Sequence, residues 1–261
     1  MSNQTKCISV IILNWLRPNN IKKLILPELT QSNLIGEIII CHCRADTKFS
    51  CYSNKVPIVH LDETANNSKY GLSLRYYAAR KAKYPIVIYI DDDIIVYPLT
   101  IVNMLHAYIL NSPCIVGRFG RLINRDLTYN EKPISGNHLS APISLTSLVM
   151  VPRELCLKCI SMCQPILDYV MNNSNPLWNG EDIFISLLSL VLYGKWSIIT
   201  DNDRYFPVKK LRSPEDLSVA IAKRKGHITY RSGLIKNISV HYKIHHHYLF
   251  KDPGNRRPKF N

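Results

Sequence analysis

Three adjacent carboxylates, Asp91-Asp92-Asp93, follow directly on the apolar run Pro85-Ile-Val-Ile-Tyr-Ile90. Carboxylates this close repel one another, and a strand end exposes them with nothing local to neutralise them. A divalent cation relieves that cost, and all-oxygen ligands suit Mg²⁺ or Mn²⁺. The competing reading is a solvated acidic turn or a helix N-cap. The apolar residues on both sides, Pro85–Ile90 and Ile94-Ile-Val96, favour the metal.

The elements that must position the triplet are legible in the first half of the chain. Residues 7–13, 36–41, 56–61 and 85–90 are short, nearly continuous apolar runs, as in strands buried on both faces. Between them, Pro18 opens a helical stretch, and Leu72, Leu74, Tyr76, Tyr77, Ala79 and Ala82 recur at helical intervals over 70–83. This β-α-β order predicts an α/β fold with a mainly parallel sheet flanked by helices. Such sheets bind ligands beyond the carboxyl ends of their strands. Asn14-Trp-Leu-Arg17 and the Asp triplet both sit at such ends, so the two groups are expected in one crevice. Further on, 99–110, 153–171 and 182–193 read as helices, and 115–117, 144–151 and 196–200 as strands. From Asp201 the apolar pattern thins, which predicts loops folded over a site and no separate domain.

Composition narrows the classes. With 261 residues, 46% of them hydrophobic, the chain can build a sizeable core, so disorder and small disulfide scaffolds are excluded. The formal net charge is +14, and residues 195–261 hold 15 basic against 5 acidic side chains. A polyanion suits such a tail: nucleic acid, an acidic membrane surface or a diphosphate. No apolar run is long enough for a transmembrane helix, and residues 7–13 lack a signal-peptide cleavage site. Cys156, Cys159 and Cys163 share one apolar helical face and are expected to pack as small hydrophobes. Together these features predict a cytoplasmic protein in a reducing compartment, with peripheral membrane contact through the tail. The sequons at Asn3, Asn66, Asn172 and Asn237 point weakly the other way.

Taken in order, Ile12-Leu-Asn-Trp-Leu-Arg17, Thr64-Ala-Asn66, Asp91–Ile94, Ile115-Val-Gly117 and Trp178-Asn-Gly-Glu-Asp-Ile183 resemble a glycosyltransferase of the GT-A fold. The set is most similar to the exostosin-like hexosaminyltransferase catalytic domain, glycosyltransferase family 64, with family 2 next. The resemblance implies a single-domain catalytic core over 1–200, nucleotide-binding over 1–96 and acceptor-side over 97–200, with basic loops over 201–261. It implies Mn²⁺ (or Mg²⁺) and a nucleotide diphosphate sugar, UDP-linked, with a glycan or a protein or lipid hydroxyl as acceptor. Asn14 and Arg17 would hold uridine and diphosphate, and Asn66 and Arg75 nucleotide or phosphate. Asp93 would bind the metal, while Asp91 or Asp92 meets the ribose or the metal's waters. Asp182 of the Glu181-Asp182 pair would lie near the anomeric carbon.

The chemistry agrees with these assignments. A departing diphosphate develops negative charge, which metal and cations must stabilise; Arg17, Lys69 and Arg75 can supply the protein's share. Asp182, at a helix start, is favoured in its ionised form. It can act as a base on the acceptor hydroxyl or stabilise positive charge on the sugar, and an ordinary helix start is the plainer reading. In family 2 enzymes the matching Asp is the base. Gly180 stands where family 64 often has Cys, and Arg224 is nearest to that family's Arg on a later acceptor loop. His241, or alternatively His245–His247, offers a third metal ligand; a pH-responsive basic loop is the other reading.

Two rivals remain open. A nucleotidyltransferase shares the fold, but usually opens with a Gly-rich phosphate loop, and Asn14–Asn20 contains no Gly. A non-catalytic nucleic-acid binder would use Tyr230, Arg231, Tyr242, Lys243 and Tyr248, leaving the Asp triplet without a role.

Overall fold

The computed structural model describes residues 6–134, 136–164, 168–169, 179–211, 225–244 and 246–250. Its strands, in chain order, are β1 (Ile8–Asn14), β2 (Ile35–His42), β3 (Ile58–Asp62), β4 (Ile86–Ile90), β5 (Ile94–Val96), β6 (Val116–Gly117), β7 (Gly120–Ile123), β8 (Tyr129–Asn130), β9 (Gly136–Ala141), β10 (Ile143–Ser144), β11 (Leu148–Pro152), β12 (Ser197–Asp201) and β13 (Val208–Lys210). Eight of them form one mixed sheet in the order β3-β2-β1-β4-β11-β6-β12-β9. The pairs β1–β2, β2–β3, β1–β4 and β6–β12 are parallel, whereas β11 runs antiparallel to both β4 and β6. The fold is α/β in one domain, with helices on both sheet faces.

Period-two alternation divides each buried strand between two cores. On one face Ile11, Leu13, Ile39, Val87 and Tyr89 pack under α1 (Leu74–Ala79), α3 (Arg153–Met162), α4 (Glu181–Tyr193) and α5 (His227–His241). On the other, Val10, Ile12, Ile38, Ile88 and Ile90 pack against Ile21, Ile25 and Leu29 of the helical segment 18–29, and against Ile101, Met104 and Ala107 of α2 (Pro98–Asn111). All eight cysteines carry free thiols and six are buried; Cys156, Cys159 and Cys163 lie within the first core.

Sequence and structure differ at several elements. The helix expected over 70–83 is broken by Gly71, at φ +49°, into Asn67–Tyr70, a 3₁₀ turn at Gly71–Ser73, and α1. The strand expected over 144–151 is split into β10 and β11 by a turn at 145–147, whose carbonyls serve the site below. Of the helix expected over 153–171, α3 is described, and 165–167 and 170–178 lie outside the described residues. Where loops are expected beyond 201, the chain instead adds β13 and the fifteen-residue α5. Tyr230, Arg231, Leu234, Ile235 and Ile238 are buried along α5 at spacings of one, three and four, a helical face obscured by the surrounding Lys, Arg and His.

Candidate functional site

The chain runs β1, β2, β3 outward in one direction and returns to place β4 on the other side of β1. The β1–β4 boundary is therefore the topological switch point, where diverging loops leave a crevice. Asn14-Trp-Leu-Arg17 leaves β1 there and Asp91-Asp92-Asp93 leaves β4.

The three aspartates have separate fates. Asp92 is buried; its carboxylate accepts from Arg17 Nη1 at 2.6 Å and from the Trp15 and Leu16 amides at 3.4 and 3.3 Å. Asn20 Nδ2 donates to the Asp92 carbonyl at 3.2 Å. Asp92 thus braces the β1 turn to the end of β4. Burial pushes its carboxyl above the usual range, while Arg17 pulls it back down. Asp91 pairs with Arg75 yet keeps 34% of its side chain exposed. Its amide donates to the Ser147 carbonyl at 2.9 Å. Asp93 is half-buried, and its carbonyl accepts from the Leu211 amide at 2.7 Å, next to β13, which pairs with β5.

Arg75 connects this group to the acidic pair. It is buried, and its Nη1 donates to the Thr146 carbonyl at 3.1 Å. The Thr146 hydroxyl in turn donates to Glu181 Oε1 at 2.5 Å. Glu181 and Asp182 open α4, where the helix dipole favours negative charge, and both are buried. Burial pushes the Glu181 carboxyl up, and Asp182 next to it adds to the effect. Asp182 accepts from Arg231 Nη2 at 2.6 Å, and Arg231 Nη1 reaches Asn179 Oδ1 at 2.5 Å. The Arg231 guanidinium lies 4.3 Å from the Tyr129 ring centre, and Asn179 Nδ2 contacts His227 Nδ1 at 3.2 Å. Burial first, then the Arg231 charge, push the His227 imidazole down to about 4. Gly180, at φ +127°, allows the close approach of α4 to α5: a Cβ there would sit 2.1 Å from Leu234 Cδ2.

One polar chain therefore runs Asp91–Arg75–Thr146–Glu181, and through the neighbouring Asp182 to Arg231, Asn179 and His227. The residues the sequence places in the site, Asp91, Arg75, Glu181 and Asp182, are joined by the fold, which adds Thr146, Asn179, His227 and Arg231. Arg231 stood in the sequence only as a cation between aromatics; its i, i+3, i+4 register with Leu234 and Ile235 was the available signal.

Other expected residues lie differently. Asn14 is buried and donates to the Thr47 carbonyl at 2.8 Å and to His42 Nδ1 at 2.9 Å. His42 Nε2 lies 2.9 Å from His60 Nδ1, and His60 Nε2 lies 3.1 Å from the Cys51 carbonyl and 3.3 Å from the Cys51 amide, so a hydrogen-bonded series runs from Asn14 to residue 51. Burial and His60 push His42 down. Asn66 is exposed and donates to Glu63 at 2.8 Å, and exposed Lys69 lies over the Tyr70 ring. His241 sits ten residues beyond Arg231, about 15 Å along α5, exposed beside Asp168 and Tyr169. The structure does not bring it to the triplet. Arg224, His245 and the His247 side chain lie outside the described residues.

For a divalent cation, the fitting donors are Asp91, partly open to water, and Asp93 beside it. One or two carboxylates are what such ions take when substrate phosphates and water complete the shell. Asp92 does not fit this role, because Arg17 and two amides already occupy it. No protein-family model and no curated protein matches the sequence.

Proposed function

We propose that the protein is a metal-dependent glycosyltransferase of GT-A type, taking a nucleotide diphosphate sugar, UDP-linked, and passing the sugar to a hydroxyl acceptor. The observation that carries this reading is the continuous chain from Asp91 at the switch point to Asp182 at the start of α4. It links a carboxylate group suited to a diphosphate-bound cation, through Arg75 and Thr146, to a second acidic group at the start of α4.

Asp91 and Asp93 would hold Mn²⁺ or Mg²⁺, which when bound supplies positive charge to a departing diphosphate. Arg17 and Asp92 hold the β1 turn in place against the triplet. Arg75, committed to Asp91 and Thr146, orients the carboxylate it pairs with. Asp182, buried and paired with Arg231, would act on positive charge at the sugar from beneath the surface, with its charge partly offset by Arg231. The +14 chain suits an anionic donor, and nucleic acid fits less well because Arg231, central to that rival, is buried in an ion pair.

Calorimetric titration of UDP with and without Mn²⁺, followed by hydrolysis assays over a panel of nucleotide sugars, tests the proposal. Asp93→Ala is expected to remove the Mn²⁺-dependent part of UDP binding. Asp182→Asn is expected to keep that binding and lower transfer by about a hundredfold or more, the scale of a lost transition-state charge interaction. UDP affinity indifferent to Mn²⁺ in the unaltered protein, with no sugar released, would overturn it.

A further inference from the structure

Helix α2 has no charged residue among its fourteen, although charged residues make up about a quarter of ordinary sequence. Thr100, Ile101, Met104 and Ala107 face the core. On the other side Leu99, Val102, Ile109 and Leu110 are 51%, 44%, 63% and 54% exposed, with exposed His106 among them. At about 100° per residue these five fall in one stripe about 100° wide and about 16 Å long, opposite the buried face. A surface helix normally turns polar residues outward. Single exposed aliphatics need no explanation, but four aligned on one face mark a contact surface.

Cations border the stripe. Asn103 Nδ2 donates to the Tyr205 carbonyl and Thr100 Oγ1 to the Pro207 carbonyl, each at 2.5 Å, so the 203–207 segment lies against α2. Tyr205 is half exposed with the Arg204 guanidinium over its ring at 5.6 Å. At the far end Lys195 Nζ donates to the Asn111 and Ser112 carbonyls at 2.9 and 3.2 Å. α2 contains no acidic side chain, and the one in the 203–207 segment, Asp203, is paired with Arg118.

We infer that this face docks on an anionic lipid bilayer. Leu99, Val102, Ile109 and Leu110 enter the boundary between headgroups and acyl chains, as apolar faces of interfacial helices do. Arg204 and Lys195 meet lipid phosphates, and Tyr205 occupies the wet edge its amphipathic ring suits. A second copy fits poorly. A two-fold interface sets the same patch against itself, so cations would meet cations in a chain already at +14. Nucleic acid fits poorly too, because single-strand binding needs aromatic platforms and the stripe is aliphatic. The inference is independent of the reaction proposed above.

Sedimentation of the full chain with vesicles tests it. Phosphatidylcholine vesicles containing about a third phosphatidylserine should bind the protein about tenfold more tightly than phosphatidylcholine alone, and added salt should weaken that binding. Leu99→Ser/Ile109→Ser should lose about tenfold in partitioning, with circular dichroism and melting temperature unchanged because both side chains are exposed. Arg204→Gln should lose a smaller factor, about fivefold. Binding retained in full by the double variant would assign it to the basic tail and overturn the inference. So would no binding beyond the neutral vesicles, or a concentration-dependent dimer in light scattering that the double variant dissolves.

Discussion

At the end of β4, Asp91 keeps 34% of its side chain in water while paired with Arg75, whereas at the start of α4 Asp182 and Arg231 are only 6% and 3% exposed. Each region brings acidic groups together and supplies an arginine, but with different consequences. At the strand end, Arg17 takes Asp92 and Arg75 takes Asp91, which relieves the repulsion of the triplet while leaving Asp91 accessible. At the helix start the pair is sealed by Tyr129, Asn179 and α5, so solvent can compensate neither partner. A carboxylate left partly in water can accept a cation and loses less when its arginine is removed. A sealed carboxylate does neither, because an orphaned buried charge is costly.

That contrast can be broken by removing one arginine at a time. Arg231→Ala should cost about 3–5 kcal/mol of stability in urea denaturation, the penalty of leaving a buried carboxylate unpaired. Close behind is a pH effect confined to the sealed region. His227 titrates at about 4 in the fold against an ordinary 6.5, so between those values the unfolded chain binds more protons. Stability is then complete above 6.5 and falls as pH drops toward 4, by up to about 3 kcal/mol. His227→Gln should flatten that part of the profile; an unchanged slope would mean His227 is not its source.

Gly180→Ala should cost about 2 kcal/mol, since φ +127° strains any L side chain and the new Cβ meets Leu234. The smallest effect belongs to the open region. Asp91→Asn should cost about 1–2 kcal/mol, because Asp91 is partly in water but its partner Arg75 is buried and keeps only the Thr146 carbonyl, and it should weaken Mn²⁺-dependent UDP binding. A loss as large as that of Arg231→Ala would erase the distinction between the two regions.

The first half of the molecule was largely readable because its strands are apolar on both faces and end abruptly. Pro85–Ile90 followed by three aspartates marks a buried strand and the carboxyl end of a sheet without reference to anything distant. The helix start at Glu181-Asp182 was equally local. Arg231 was not. Its partner lies forty-nine residues upstream, and its own segment is so rich in Lys, Arg and His that composition pointed to loops. Thr146 was hidden because an apolar run masked the turn at 145–147, where backbone carbonyls bind Arg75 and the Asp91 amide. The α2 stripe was visible only as a helix; which side faced water required the sheet to be in place.

By itself the sequence determined the alternation of buried strands and helices, the position of the Asp triplet at a strand end, and the acidic start of α4. These follow from short-range pattern, since the periodicity of apolar residues and the chemistry of neighbours are set within a few positions. Only the tertiary structure decided which aspartate stays open to water, which arginine each carboxylate receives, and that His241 lies exposed beside Asp168 and Tyr169. Those outcomes depend on contacts between residues tens of positions apart, whose burial and charge balance exist only once the sheet and α5 have packed.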